Sequence, residues 1–290
     1  MIPTFAKKKI LGTDTVRFLS ERLGLVPWII GMAAIAAVGW LFVGRPVAFS
    51  ETTADLTGYP VVLELFTSQS CSSCPPADAL LSKLGSSTKG VIPLAYHVDY
   101  WNNLGWSDPL SAHQFSERQT DYARAMNLDG EYTPQMVIGG GWQVVGSEQQ
   151  AIERGVVAAR STPALGKVTI HSFPLASGSH KLQVELSALM LHNAGTGPLV
   201  VMLAIYENGL IAKIGGGENG GREITYDYTV RKLLPAFELD AVQGASSAKA
   251  FGIDLDPTWS VNHLGVAAFI QDASSLRIVG ATSAYPIAKN

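Results

Sequence analysis

The chain contains two cysteines, Cys71 and Cys74, which are separated by two serines. A pair at this spacing is typical of thiol–disulfide exchange, in which one thiolate attacks a disulfide and the second thiol resolves the mixed disulfide. We expect Cys71 to be the nucleophile and Cys74 the resolving thiol, with no organic cofactor. A structural disulfide is one alternative. A copper(I) site is the other, because soft thiolates select that metal, and His97 or Met136 could be a further ligand.

The flanking residues predict that the pair lies between a strand and a helix. Residues 61–66 form a short apolar run rich in branched side chains, which predicts a buried strand. Apolar residues at helical spacing begin at Ala77, and the prolines at 75 and 76 fit only the first turn of a helix. Ser73 or Cys74 is therefore the predicted N-cap. The positive end of the helix dipole would lower the pKa of Cys71.

Residues 59–162 are predicted to form an α/β domain. The second strand lies at 91–98, and Asp108 caps the second helix because Pro109 occupies a first helical position. A third strand at 136–140, a strand that turns back and a final helix complete the domain. The order of elements is therefore strand, helix, strand, helix, strand, strand, helix.

Three further side chains of this domain are candidates for chemistry or recognition. Glu64 lies in an otherwise apolar strand, where burial would raise its pKa and allow it to act as a general base. The alternative is that Glu64 faces outward or has a structural partner. Asp99 and Trp101 follow the second strand and could line a substrate groove, although tryptophans at such positions also pack on cores. Asp78, just after the prolines, is interpreted as a charge at the helix N-terminus, with a functional role as the alternative.

Several segments in order resemble one known family. They are VVLELFTSQSCSSCPPADALLSKL, YHVDYWNNLGWSDPLS, FSERQTDYA, YTPQMVIGG and GENGGREITYDYTVRKL. Together they resemble the uncharacterised thioredoxin-like family of exported bacterial proteins known as domain of unknown function 1223. The resemblance covers about residues 60–290. It implies a thioredoxin-like fold and export, and it implies no established substrate.

The resemblance also assigns roles to individual residues. In thioredoxin-like proteins a cis-proline precedes the third strand and faces the disulfide, and Pro134 after Thr133 occupies the equivalent place. It implies that Pro134 shapes substrate docking and that Thr133 lies in the substrate site. Thioredoxin also has a buried aspartate under the resolving cysteine, and Glu64 matches that position with one extra residue in the loop.

Residues 166–290 are predicted to form a second, all-β domain. Seven short runs with strand character are separated by turn signals, which predicts a sandwich-like fold. The glycine-rich stretch 215–221, GGGENGG, is predicted to be a flexible loop, and it lacks the residues of a phosphate-binding loop. The interpretation of this half is a module that presents or docks substrates.

Residues 25–43 carry no charged side chain and would span roughly 28 Å as a helix, close to the hydrocarbon thickness of a bilayer. Basic residues precede this segment, so residues 1–24 are predicted to be cytoplasmic, 44–58 a linker, and the rest exported. The prediction is a single-pass protein of the bacterial inner membrane with its C-terminal domains in the periplasm. If the segment is a cleaved signal, the protein is secreted to the periplasm instead.

The predicted function is an envelope-facing thiol-disulfide oxidoreductase. Its expected partners are thiols or disulfides of exported proteins, a redox partner in the envelope, and the membrane. The formal net charge of −3 gives no indication of nucleic-acid binding. Two alternatives stay open, which are a copper(I) carrier that uses the same cysteines and a non-catalytic interaction protein.

Overall fold

The computed structural model describes residues 59–173, 179–195 and 197–287. The predicted cytoplasmic, membrane and linker segments, 1–24, 25–43 and 44–58, lie outside this range. Within the described ranges, no helix is both long enough and apolar enough to cross a membrane.

The first part of the described chain has the predicted order of strands and helices. Its elements are β1 (Val61–Thr67), α1 (Pro75–Ser87), β2 (Val91–His97), α2 (His113–Ala125), β3 (Gln135–Ile138), β4 (Trp142–Val145) and α3 (Gln149–Arg160). Strand β1 pairs in parallel with β2 and antiparallel with β3, and β3 pairs antiparallel with β4. Helix α2 begins four residues later than predicted, because Ala112 and not Asp108 occupies its N-cap position.

The second part is built of strands, with one 3-10 turn at Val261–His263. Its strands are β5 (Gly166–Phe173), β6 (Lys181–Met190), β7 (Leu199–Glu207), β8 (Leu210–Lys213), β9 (Glu223–Tyr226), β10 (Thr229–Leu239), β11 (Ser246–Asp254), β12 (Leu264–Asp272) and β13 (Ile278–Ala284). Strands β11, β6 and β5 form a three-stranded sheet, and β8 and β9 form a separate hairpin.

The predicted fold class, a thioredoxin-like α/β domain followed by an all-β sandwich-like domain, is wrong, and the N-terminal transmembrane helix predicted with it lies outside the described residues. Strands from both parts form one eight-stranded mixed sheet in the order β13-β12-β7-β10-β2-β1-β3-β4. The junction is a parallel contact at which Thr229 of β10 is the partner of Ala95 of β2. This pairing covers the edge that β2 would otherwise expose. The chain is therefore a mixed α/β fold dominated by its sheets.

Alternation along β1 assigns its side chains to two layers. Val61, Leu63 and Leu65 pack in an apolar cluster with α1 and α3, whereas Val62 and Phe66 pack on the opposite face with residues of α2. Neighbouring side chains of a strand point to opposite faces. Position 67 therefore faces α1, and position 64 faces α2.

The three-stranded sheet packs against the far part of the large sheet. Their shared core is made of side chains from β6, β7 and β12, among them Leu182, Leu186, Leu203 and Ile270, all buried. Strand β6 alternates buried and exposed side chains, as expected of an antiparallel strand with one face on a core. The β8–β9 hairpin belongs to neither of these sheets, and β9 lies against α1.

Candidate active site

Cys71 and Cys74 form a disulfide at the start of α1. Cys74 is the N-cap of the helix, as one of the two predicted possibilities had it, and the two prolines occupy its first positions. The Cys71 sulfur lies 3.3 Å from the hydroxyl oxygen of Ser73. Both cysteines are 0% exposed, although the two serines between them are exposed. Attack on either sulfur therefore requires that a neighbouring segment move.

A loop from the second part of the chain packs on the cysteine motif. We call residues 214–222, which connect β8 to β9, the lid loop. Asn219 is 1% exposed, and its amide nitrogen donates to the carbonyl oxygens of Gln69 and Cys71 at 3.0 and 2.8 Å. The backbone N–H of Ser72 donates to the Glu218 carboxylate at 2.9 Å. The predicted flexible loop thus has defined contacts with the motif.

Glycines in the lid loop allow this close approach. A Cβ on Gly215 would lie 2.7 Å from the ring of Trp106, and one on Gly216 would lie 2.3 Å from a backbone oxygen of Gly105. Gly217 has a φ of +67°, and a Cβ there would lie 3.0 Å from the hydroxyl of Ser70. Side chains at these three positions would push the loop away from the motif.

Asp78 is a buried carboxyl group one helical turn after Cys74. Its backbone N–H donates to the carbonyl of Cys74 at 3.1 Å, so the two residues lie on the same face of α1. The side chain is 6% exposed, and neither carboxyl oxygen has a hydrogen-bond partner in the described part of the chain. Burial raises the pKa of Asp78 to about 7, against the opposing influence of His97. Asp78 can therefore gain and lose a proton near neutral pH.

His97 and Asp108 form a buried ion pair behind Asp78. The Nδ1 atom of His97 lies 2.7 Å from a carboxylate oxygen of Asp108, which also accepts the backbone N–H of Gln69 at 2.9 Å. Burial alone would lower the pKa of His97, but Asp108 raises it above the ordinary value. Burial would raise the pKa of Asp108, yet His97 and backbone N–H groups hold it below the usual range. Both pKa shifts favour the charged forms, a protonated His97 and an ionised Asp108.

Further polar atoms face the same interior. Besides the Asp78 oxygens, unpartnered buried atoms within the described ranges include Nε2 of His97 and the hydroxyls of Thr67 and Tyr226. Thr67 and His97 are neighbours in the parallel pairing of β1 and β2, and the His97 and Tyr226 rings lie 4.9 Å apart. We call Thr67, Asp78, His97, Asp108 and Tyr226 the buried polar cluster. Buried titratable groups with shifted pKa values, such as Asp78 and His97, are often found at functional sites.

The structure does not bring Glu64 to the cysteines. Its carboxylate accepts a hydrogen bond from the Arg118 guanidinium at 2.7 Å and another from the hydroxyl of Tyr122, and both residues belong to α2. Helix α2 lies on the face of the sheet opposite α1, so Glu64 points away from Cys74. The structural-partner alternative for Glu64 is the one observed.

The other predicted site residues lie just after β2 and just before β3. The Thr133–Pro134 peptide bond is cis, as predicted, and Pro134 precedes β3, whose first residue is paired with Phe66 at the end of β1. The indole nitrogen of Trp101 donates to the Thr133 hydroxyl at 2.9 Å, so those two residues do meet. Asp99 bonds instead to Ser116 and His113 of α2. Trp101 and Thr133 are therefore in contact, whereas Asp99 forms its hydrogen bonds with the first turn of α2.

The sequence interpretation did not include Thr67, Glu218 or Tyr226 in the site, and it gave three other residues a different role. Asp108 was interpreted as a helix cap, Asp78 as a charge at a helix N-terminus, and Asn219 as part of a flexible loop. A usable signal existed only for Asp78, since its spacing from Cys74 places both on one helix face. Asn219 has no such signal, because its contact depends on the pairing of β10 with β2.

The described residues contain no group of three or more His, Cys, Asp or Glu side chains arranged to hold a metal ion. His97, one possible copper ligand in the sequence, is bonded through Nδ1 to Asp108. Met136, the other, is buried in the apolar cluster between the sheet and α1.

The fold and this site define a mixed α/β protein with a buried C-x-x-C disulfide. The chain belongs to the family described as "Protein of unknown function (DUF1223)", whose model matches residues 62–271. The family prediction is therefore confirmed, and the thioredoxin-like description attached to it is not.

Two solved structures are similar over most of the chain. The Agrobacterium tumefaciens protein AGR_C_4864 has 28% sequence identity and a TM-score of 0.60, with 79% of this chain and 95% of that one covered. HBP35 of Porphyromonas gingivalis has 16% identity and a TM-score of 0.60, with 78% and 75% covered, and at that identity it supports the fold alone. No curated protein matches the chain.

Proposed function

We propose that the protein is a thiol-disulfide oxidoreductase that acts on cysteines of exported proteins. The observation that carries this proposal is the buried, ionisable Asp78 one helical turn after Cys74, together with the buried His97–Asp108 pair. A disulfide with only a structural role needs no titratable group beneath it. Burying a carboxyl group without a hydrogen-bond partner costs free energy, so the arrangement favours a chemical role for the pair.

The proposed reaction exchanges two electrons between the protein and a client. In the reducing direction, the Cys71 thiolate attacks a client disulfide, a sulfur–sulfur bond to the client forms, and the second client thiolate leaves and takes a proton from solvent. Cys74 then gives its proton to the Asp78 carboxylate, and its thiolate attacks the Cys71 sulfur. The client leaves as a thiolate, and the Cys71–Cys74 disulfide forms. In the oxidising direction, protonated Asp78 returns the proton to Cys74.

The proposed place of action is the bacterial envelope, outside the cytoplasm. Residues 25–43 carry no charged side chain and follow a basic segment, a pattern that places the following chain outside the cytoplasm. A redox partner in the same compartment would restore the working form of the pair after each turnover.

The reduction potential of the pair tests the proposal most directly. Purified protein is equilibrated with glutathione buffers, and free thiols are counted after an acid quench. A potential between about −270 and −120 mV supports exchange, and its value gives the direction, since reductants lie near the lower figure and oxidants near the higher one. A pair that stays oxidised below about −300 mV would be a structural bond, and the proposal would then fail.

The Asp78→Asn substitution should slow the second exchange step by roughly 100-fold at pH 8, a typical contribution of a general base. Asparagine cannot accept the Cys74 proton. The wild-type rate should fall as pH drops below about 7, where Asp78 becomes protonated, whereas the variant should lack this inflection. The measurement is the acid-quenched time course of oxidation of the reduced protein by glutathione disulfide. Asp121→Asn, on the exposed surface of α2, is the matched control and should follow wild type.

The stability of the same variant provides a check that does not depend on activity. An ordinary aspartate has a pKa of about 4, so between about pH 4 and 7 the folded protein holds a proton that the unfolded chain has released. The contribution of Asp78 to stability therefore falls as pH rises through this range. Asp78→Asn should remove that fall and be more stable than wild type at pH 8 by about 1–3 kcal/mol. An unchanged pH profile in both assays would exclude Asp78 as the proton acceptor.

A further inference from the structure

The lid loop occupies the backbone groups that a bound polypeptide would need at the cysteine motif. One is a donor, the N–H of Ser72, which Glu218 binds. Two are acceptors, the carbonyl oxygens of Gln69 and Cys71, which the amide of Asn219 binds. A carboxylate oxygen and an amide N–H present the same chemistry as the C=O and N–H of a peptide backbone. The lid loop therefore imitates a short stretch of extended chain.

The hairpin that carries the lid loop is weakly tied to the rest of the fold. Strands β8 and β9 pair with each other and belong to neither of the two larger sheets. Tyr226 at the end of β9 is buried, whereas the other side chains of the two strands are exposed or half-buried, and Ile211 is 66% exposed. A two-stranded hairpin is marginally stable by itself. Segments with few buried apolar contacts open at lower free energy than the core.

We propose that the lid loop is an autoinhibitory cover over the Cys71–Cys74 disulfide, and that an extended, cysteine-containing segment of a client displaces it. A carbonyl of the client backbone then accepts the hydrogen bond from the N–H of Ser72, in place of Glu218. Client N–H groups donate to the carbonyl oxygens of Gln69 and Cys71, in place of Asn219. An unfolded or extended segment fits this site, since it alone offers free backbone groups. The identity of the client as a redox substrate rests on the proposed function, whereas the covering of the disulfide does not.

Two glycines of the lid loop make a matched pair for the test. Gly217 and Gly221 both have positive φ, +67° and +84°, so alanine strains the backbone at either position. A Cβ at 217 also meets Ser70 and Trp106, whereas a Cβ at 221 meets nothing within 4 Å. The Gly217→Ala disulfide should be reduced by dithiothreitol about tenfold faster than the Gly221→Ala disulfide. This ratio corresponds to the net strength of about one hydrogen bond.

A second pair removes lid contacts without backbone strain. Asn219→Ala should speed reduction by roughly tenfold or more, since it removes two hydrogen bonds to the motif. The control is Asn208→Ala, which removes the bond that the N–H of Tyr228 donates near the base of the hairpin. Near-ultraviolet circular dichroism verifies that each variant is folded. Equal rates within both pairs would overturn the proposed lid.

The partner is tested with a short unstructured peptide that carries one cysteine as a mixed disulfide with glutathione. Reduced wild-type protein should exchange with this peptide more slowly than the Gly217→Ala variant does. N-methylation of the peptide amides beside the cysteine should slow exchange several-fold, because it removes backbone donors. No effect of methylation would overturn the extended-backbone partner. If dithiothreitol reduces the lid variants faster but no variant exchanges with the peptide, the lid proposal is supported and the proposed oxidoreductase function is refuted.

Discussion

Cells that produce the full chain with Cys74→Ser should accumulate it as a mixed disulfide with client proteins. Cys71 can still attack a client disulfide, but no second thiol remains to release the product. The wild-type protein resolves the same intermediate quickly and should show almost none of it. Non-reducing electrophoresis after an acid quench, followed by mass spectrometry of the reducible bands, measures the yield and identifies the clients.

Cys71→Ser is the matched control for this experiment. Cys74 is the N-cap of α1 and is assigned the resolving role, so it should trap few clients or none. Equal trapping by the two variants would contradict the assigned roles of nucleophile and resolving thiol. The absence of any trapped client with either variant would favour the non-catalytic interpretation. That interpretation also predicts that the double variant retains the wild-type phenotype.

The local elements around the cysteines were predictable, because their signals are local. The apolar run of β1, the proline-bearing first turn of α1 and the helical spacing from Ala77 each depend on a few neighbouring residues. The pairing of β10 with β2 depends on residues far apart in the chain, and one sequence contains no measure of it. Local signals therefore predict two separate domains, whereas strands from both parts join in one sheet through β10 and β2.

The same limit explains the errors at the site. Glu64 and Cys71 are close in sequence, and the strand signal alone does not say which face of the sheet a polar side chain occupies. Thr67 faces α1 and the cysteine motif, while Glu64 faces α2, and the alternation along β1 becomes informative only once the two helices are placed. Asn219 and Tyr226 reach the site through the second part of the chain, so no local pattern could assign them.

Glu64 instead belongs to a buried charge network that should dominate the stability of the first part of the chain. Arg118 binds Glu64 at 2.7 Å, Gln271 at 3.2 Å and Tyr122 at 3.0 Å. Its guanidinium also lies 5.5 Å from the ring centroid of Phe269. Although burial opposes its charge, Glu64 raises the pKa of Arg118. The network joins α2 to β1 and β12, so it links the two parts of the sheet.

Arg118→Leu should therefore destabilise the protein by about 3–5 kcal/mol, because it leaves the Glu64 carboxylate buried without its counter-charge. Urea denaturation at pH 8 measures this loss. Arg124→Leu on the same helix removes an exposed pair with Asp121 and should cost at most about 1 kcal/mol. Adding Glu64→Gln to Arg118→Leu should recover part of the loss, since no charge is then buried. The thiol–disulfide exchange rate of folded Arg118→Leu should keep the wild-type pH profile. A profile altered like that of Asp78→Asn would show instead that Glu64 takes part in the proton transfer.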